Sequence, residues 1–546
     1  MDSAKQAYRE GFHWTSVLNH IPNMDAETAS ALPGTSAHLR PTNVAIRGQR
    51  RMHDAAHAEL VARIPPRTES DRLVAYYFEV FEYSPIVLHR GEFMFQYKAF
   101  WHEPASAQAA WLGLLRSVLH LVNVFRSTQP ATSKELSHAR PPTENAKYLD
   151  EFKDGTAQAL NLAQDGKEGR FIIQTLIHYF FAHQYLKKDS SLRSWLLFGN
   201  IIQIALCNGY HRDPDQIPHI SPFEGEIRRR LWSFIYQADM ASCAQLGMPR
   251  LIRDSIVDTR EPRNLFDEDF SADTTILPTS RPETHLTPIL ITIVKQRFSE
   301  VCSEILDLVT SRSQPSYESI MEVDQKLSQT QQRLPERCRF RSMTDSILDS
   351  PSLVFQLIFI DLSFSTMRIN LHSRHLPLSR LNPDYSYSRD VSVEAACHIL
   401  ARHHLLEEEF LPGGRLSRVK WLSFPLLLHI FLLACGILCS HLSQSAPTIS
   451  HADLDKITHL LKTTQSIWTR ASEISSEARK ASAILSKILG QLEQPGPQLT
   501  GFGFGDISLA GPSLDGGDTS AGLPLEFGDI DPMMAKFFNF GPDFWL

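Results

Sequence analysis

Cysteine is scarce in this sequence: 546 residues hold seven, at positions 207, 243, 302, 338, 397, 435 and 439. No two stand as a Cys-x-x-Cys pair, and most fall in apolar helical runs, which reads as reduced, buried thiols of an intracellular protein. An apolar signal stretch is missing from Met1–Val17, so the expectation is a cytosolic or nuclear protein. An excess of basic charge is missing too. The formal net charge is −7, and no overall positive field draws the whole chain to nucleic acid. Runs with a period of two bounded by Asn-Gly or Asp-Gly turns are absent, which excludes a strand-built fold. No Gly-x-Ser-x-Gly elbow and no phosphate-binding loop occur. Gly501-Phe502-Gly503-Phe504-Gly505 neither follows a strand nor opens a helix, and reads as part of a tail.

Apolar helical matter is what the chain does hold. Hydrophobic residues make up 42% and charged residues 21%, a globular composition long enough for two or three structural units. The charge is unevenly placed: seven acidic residues and one lysine from Gly501 onward carry −6, leaving −1 upstream. Small and polar residues fill Asn23–Thr42, and Arg47, Arg50 and Arg51 form a small basic cluster. Residues 1–70 therefore read as a short helix and a flexible linker.

From Asp71 the character changes. Tyr76, Tyr77, Phe78, Val80 and Phe81 begin an aromatic-rich helix ending before Pro85. Trp111, Leu114, Leu115, Val118, Leu119 and Val122 repeat every three or four residues, the mark of a buried helical face. Ser127–Asn145 looks like a surface loop. Helices are expected over Phe171–Leu186, from Ser190 or Ser191 to Asn208 with Gly209 as the stop, and over Glu224–Leu246 closed by Gly247 and Pro249. After a polar stretch, Glu261–Glu283, helical period resumes near Leu286 and continues to Leu492. Within it Leu422–Cys439 approaches membrane-span length, but Ser423, Pro425, His429 and Gly436 make it a buried core helix. The fold class is all-α: a large multi-helix regulatory body at 71–492 between a disordered linker and a disordered tail at 493–546.

Candidate chemistry is sparse. His403, His404 and Glu407 lie within one helical turn, a spacing that suits metal ligation, yet the adjoining Glu408 and Glu409 favour a solvated face. Asp267-Glu268-Asp269 stands alone in a polar loop and carries no magnesium site. Arg228, Trp232, Ile235, Asp239 and Cys243 fall on one face of the Glu224–Leu246 helix. A charged Arg and Asp flanking an indole imply a hydrogen-bonded site, either an ion pair pinning two helices or part of an effector pocket. The tail holds eight aromatics in its last 46 residues, among them Phe537, Phe538, Phe540, Phe544 and Trp545. Acidic residues keep such a segment solvated while its aromatics dock into an apolar groove on a coactivator.

Four stretches together resemble the fungal-specific transcription factor domain, the middle region of fungal Zn2Cys6 regulators. They are Tyr77-Phe78 through Phe81, Pro85-Ile86-Val87-Leu88-His89 and Phe93; Ala205 through Gly209-Tyr210-His211-Arg212-Asp213; Glu226 through Trp232 and Asp239 with Gly247-Met248-Pro249-Arg250-Leu251-Ile252; and Leu371-His372-Ser373-Arg374. The resemblance covers about Asp71–Leu492. It implies a nuclear, non-enzymatic regulator of a catabolic or secondary-metabolite gene set, with Arg228, Trp232, Asp239, Gly247 and Pro249 as signature positions. It also implies a homo- or heterodimer with a related regulator, contact with the transcription machinery through the tail, and no membrane. Zinc is expected for the family, but its cluster needs six cysteines near the N-terminus, and the first here is Cys207. That departure leaves two routes open: an upstream exon absent from this sequence, or regulation through a DNA-bound partner. The alternatives are a zinc-free dominant-negative or co-regulator, and a helical ligand-binding protein or enzyme with its pocket near Trp232 and Asp239.

Overall fold

The computed structural model describes residues 54–492, apart from 82–83, 129–141, 164–168, 187–191, 423–424, 446–448 and 474. Among the described residues there is helix and loop but no strand. A helix over 54–62 leads into α1 (Arg67–Val80), followed by α2 (Arg90–His102), α3 (Ala109–Thr128), α4 (Pro142–Leu162) and α5 (Gly169–Leu186). Next come α6 (Leu192–Cys207), α7 (Pro222–Leu246), α8 (Pro288–Thr310) and α9 (Tyr317–Gln332). The chain closes with α10 (Pro351–His372), α11 (Ser386–Glu409), α12 (Pro425–Ser445), α13 (His451–Ala471) and α14 (Ser476–Leu492).

Local chemistry sets the ends of these helices. The Ser221 hydroxyl accepts the Glu224 N–H at the start of α7, and Ser350 does the same for Leu353 at the start of α10. Gly209 and Gly247, at φ 73° and 64°, take the left-handed conformation that ends α6 and α7. The packed body begins before the change of composition at Asp71, because Leu60 on the 54–62 helix is fully buried in the core. The continuous helical period over Lys456–Leu492 folds as two helices packed on each other. Ser475 accepts the Ala478 N–H, and the Arg479 guanidinium donates to the Ser472 carbonyl, so a new cap outcompetes one long helix. The tail at 493–546 and the linker up to residue 53 lie outside the described residues.

The apolar side chains gather into two cores. The first runs from Leu60 to Leu371 and centres on α3, which is buried nearly all round and packs on α1, α4 and α5. Inside it Arg116 lies over the Phe152 ring and donates to the Leu60 and Glu151 carbonyls. Gly155 makes room, since a Cβ there would meet the Arg116 guanidinium. The second core is built by α10 to α14. Helix α10 belongs to both: Leu357, Ile360, Phe364, Met367 and Leu371 face the first, and Val354, Phe355, Ile358, Leu362 and Ile369 face the second. A helix apolar on every side must be covered on every side. Pro351–His375 is long and apolar enough to cross a membrane, yet here it lies between two protein layers. The Leu422–Cys439 run falls largely in α12, whose Leu427, Ile430, Phe431, Ala434 and Leu438 are buried in the second core.

Candidate functional site

Helix α7 is where the sequence concentrates its signature residues, and three consecutive arginines stand two turns from its start. Successive helical residues point about 100° apart, so Arg228, Arg229 and Arg230 fan across more than half the circumference. Each fastens a different segment. Arg228 donates to Glu224 and to the Asn208 carbonyl, with its guanidinium 4.9 Å from the Tyr210 ring. Arg229, buried, grips both Asp213 oxygens at 2.8 and 3.1 Å and reaches Asp215 at 2.9 Å. Arg230, fully buried, bonds Asp267 at 2.6 Å, Glu226 at 3.3 Å and the Pro85 carbonyl at 3.0 Å.

The acidic partners are equally committed. Burial works against ionised Asp213, but hydrogen bonds from Arg260 and Arg229 overcome it and hold the carboxyl below the usual carboxylate range. Arg260 adds its backbone N–H to the same carboxylate, joining the loop after α7 to the turn before it. Glu226, fully buried, accepts the Arg263 N–H, and burial raises its pKa. Asp267 accepts from the Arg90 N–H and Asp269 pairs with Arg281, so the Asp267-Glu268-Asp269 loop is tied to cations of this chain.

Further along α7, Asp239 is 1% exposed and accepts the N–H groups of Leu251 and Ile252 at 3.0–3.2 Å. It therefore anchors the turn after Gly247 and does not pair with Arg228. Trp232 is buried 6.2 Å from the His211 ring. Gly247 supplies the left-handed stop, and Pro249 lies exposed in the turn that Asp239 holds. Arg250, part of the signature stretch but given no role from the sequence, closes the same turn by pairing with Asp254 and Asp307. Its spacing to Asp254 was visible, whereas Asp307 lies 57 residues away.

Other constellations resolve into packing. His403 stacks on Phe431 with ring centroids 3.9 Å apart, and His404 meets the Thr464 hydroxyl at 3.0 Å. Ser388, His372 and Asp324 form a chain with the chemistry of a hydrolytic triad: Ser388 Oγ to His372 Nδ1 is 2.9 Å and His372 Nε2 to Asp324 is 3.4 Å. Both Ser388 and His372 are fully buried, so no substrate reaches the hydroxyl. The seven cysteines are free thiols spread through the body, and among the described residues no three metal-binding side chains converge. These thiols do not fit a two-zinc, six-thiolate cluster. Phe537, Phe538, Phe540, Phe544 and Trp545 lie outside the described residues.

The signature block is thus a fastening device, and comparison with known proteins says whose. Residues 74–337 match the fungal specific transcription factor domain. The equisetin cluster transcription factor eqxF of Fusarium heterosporum is 34% identical over 90% of this chain and 72% of its own length. The chain belongs to the fungal-specific transcription factor family. The pyrrolocin cluster transcription factor fsdR of Fungal sp. (strain NRRL 50135) is also 34% identical, over 89% of this chain and 65% of that protein. The Zn(2)-C6 fungal-type transcription factor pigI of Monascus ruber is 32% identical over 90% of this chain and 62% of its own. This fungal-specific transcription factor chain spans just under two thirds of the length of fsdR. No solved structure matches it. The family match ends at residue 337, between α9 and α10, so the second core lies beyond it.

Proposed function

We propose that this chain is a nuclear, pathway-specific transcription regulator of a secondary-metabolite gene cluster. The observation that carries the reading is its likeness along nine-tenths of its length to eqxF, a transcription factor named for the equisetin cluster, and to fsdR, named for the pyrrolocin cluster. The helical body at 71–492, with the 54–62 helix packed on it, is the regulatory domain, held in shape by the ionic fastenings on α7. The aromatic, acidic segment at 493–546, with Phe537, Phe538, Phe540, Phe544 and Trp545, recruits the transcription machinery. A dimer with a related regulator supplies or completes contact with DNA.

Deletion of the gene followed by transcript sequencing tests the reading. Loss of one contiguous set of biosynthetic transcripts is the expected result, and an unchanged transcriptome sinks it. The tail is tested separately by fusing Gln494–Leu546 to a foreign DNA-binding domain beside a reporter. Activation that disappears when Phe537, Phe538, Phe540, Phe544 and Trp545 become Ala is expected, and silence of the unmutated fusion removes the activation role.

A further inference from the structure

The cations of α7 and of the turn after it have counter-charges. Arg229, Arg230 and Arg250 each hold at least one carboxylate. The Lys295 ammonium on α8 makes no hydrogen bond and no ion pair among the described residues, and its nearest ring is Phe359 at 5.5 Å. It borders a half-open cavity of about 110 Å³ lined by α7, α8, α10 and α12. Apolar side chains dominate the walls, including Met240, Phe298, Cys302, Leu306 and Met367. The polar exceptions are already engaged as donors, Gln237 through its amide N–H groups to Ser233 Oγ and the Thr292 carbonyl. Ser299, Ser363 and Thr366 give their hydroxyl protons to carbonyls one turn back on their own helices. The His429 ring bonds the Ala244 carbonyl, and burial lowers its pKa, which keeps it neutral. Lys295 is left as the charged donor at an apolar hole.

Small-molecule sites are built this way, with hydrophobic walls and a few placed polar groups that fix orientation. A cavity slightly larger, about 150 Å³, takes benzene, so the space suits an apolar group of about five or six carbon atoms, with a polar head at its Lys295 border. A cation without a partner in such surroundings is costly, and an anion supplied by a ligand relieves that cost. Lys295 is half-buried, and desolvation lowers its ammonium to about 8.

We propose that this cavity binds a small, mainly hydrocarbon monocarboxylate, its acid group on Lys295 and its apolar part between α7, α8 and α10. Because α7 and α8 belong to the first core, α12 to the second and α10 to both, the ligand bridges the two cores. The site stands independently of the transcriptional reading, since its readout is binding.

The test uses the full chain at pH 7 with two probes of one length, hexanoate and 1-hexanol, followed by saturation-transfer NMR titration. Hexanoate is expected to bind at least fivefold more tightly than 1-hexanol. Lys295→Met removes that preference and leaves 1-hexanol unchanged, Lys295→Arg keeps it, and Ala241→Phe, which fills the cavity, weakens hexanoate at least fivefold. Circular dichroism verifies that each variant is folded, and the wild-type comparison stands even if one is not. Equal affinities in the wild type, no binding of hexanoate, a preference that survives Lys295→Met, or hexanoate binding untouched by Ala241→Phe each overturns the proposal.

Discussion

Arg229 and Asp213 show what a buried ion pair does at the scale of one residue. Both side chains are almost wholly enclosed, and removing either leaves the other only its more exposed second partner, Asp215 for Arg229 and Arg260 for Asp213. Asp213→Ala should therefore destabilise the body by about 3–5 kcal/mol, read from urea denaturation. The pH dependence has a definite sign. A carboxyl held below its unfolded value contributes stability that is present above about pH 4 and is lost as pH falls through the lower folded value. Thermal midpoints measured downward from pH 5 should fall in the wild type, and this acid limb should be shallower in Asp213→Asn. Arg228 and Asp239 give the opposite lesson. Their place on one face suggested an ion pair pinning two helices or part of an effector pocket, yet Arg228 goes to Glu224 and Asn208 while Asp239 takes two backbone N–H groups. A double-mutant cycle of Arg228→Met and Asp239→Asn should be additive within about 0.5 kcal/mol, and a larger coupling would contradict the geometry.

At the scale of the element, much was legible before any coordinates. Gly209 and Gly247 marked helix ends because the left-handed conformation they adopt costs other residues a steric penalty. Alternation every three or four residues marked α3 and α5 for the same reason that it buries them. Three things were not legible. The break between α13 and α14 contains no glycine or proline, and depends on Ser475 winning a capping bond that local period does not encode. Ser475→Ala should cost about 1 kcal/mol and fray the start of α14, visible as faster amide exchange at Ala478. The fastenings of α7 were hidden for a different reason: Arg230 finds its partners at Pro85 and Asp267, 145 and 37 residues away. Charge type is printed in a sequence, but a long-range partner is not. The cavity beside Lys295 was equally invisible, since it is a gap left by four helices rather than a property of any one of them.

For the whole molecule the decisive feature is α10, which gives one face to each core. Two cores joined by a loop would melt separately, whereas two cores sharing a buried helix lose both interfaces when that helix leaves. Phe364 lies on the first-core face and Leu362 on the second, one and zero per cent exposed. Phe364→Ala should cost about 3–5 kcal/mol and Leu362→Ala about 2–5 kcal/mol from the lost burial and the cavities left behind. If α10 couples the cores, each substitution lowers the midpoint of one calorimetric transition rather than splitting it in two. Two resolved transitions, with Leu362→Ala moving one and Phe364→Ala the other, would mean that the cores are independent bodies. The distinction bears on regulation, because only a coupled pair lets an event at one core change the state of the other. A signal arriving between α7 and α12 then touches the helix that carries the arginine fastenings directly, and reaches the second core through α12 and α10.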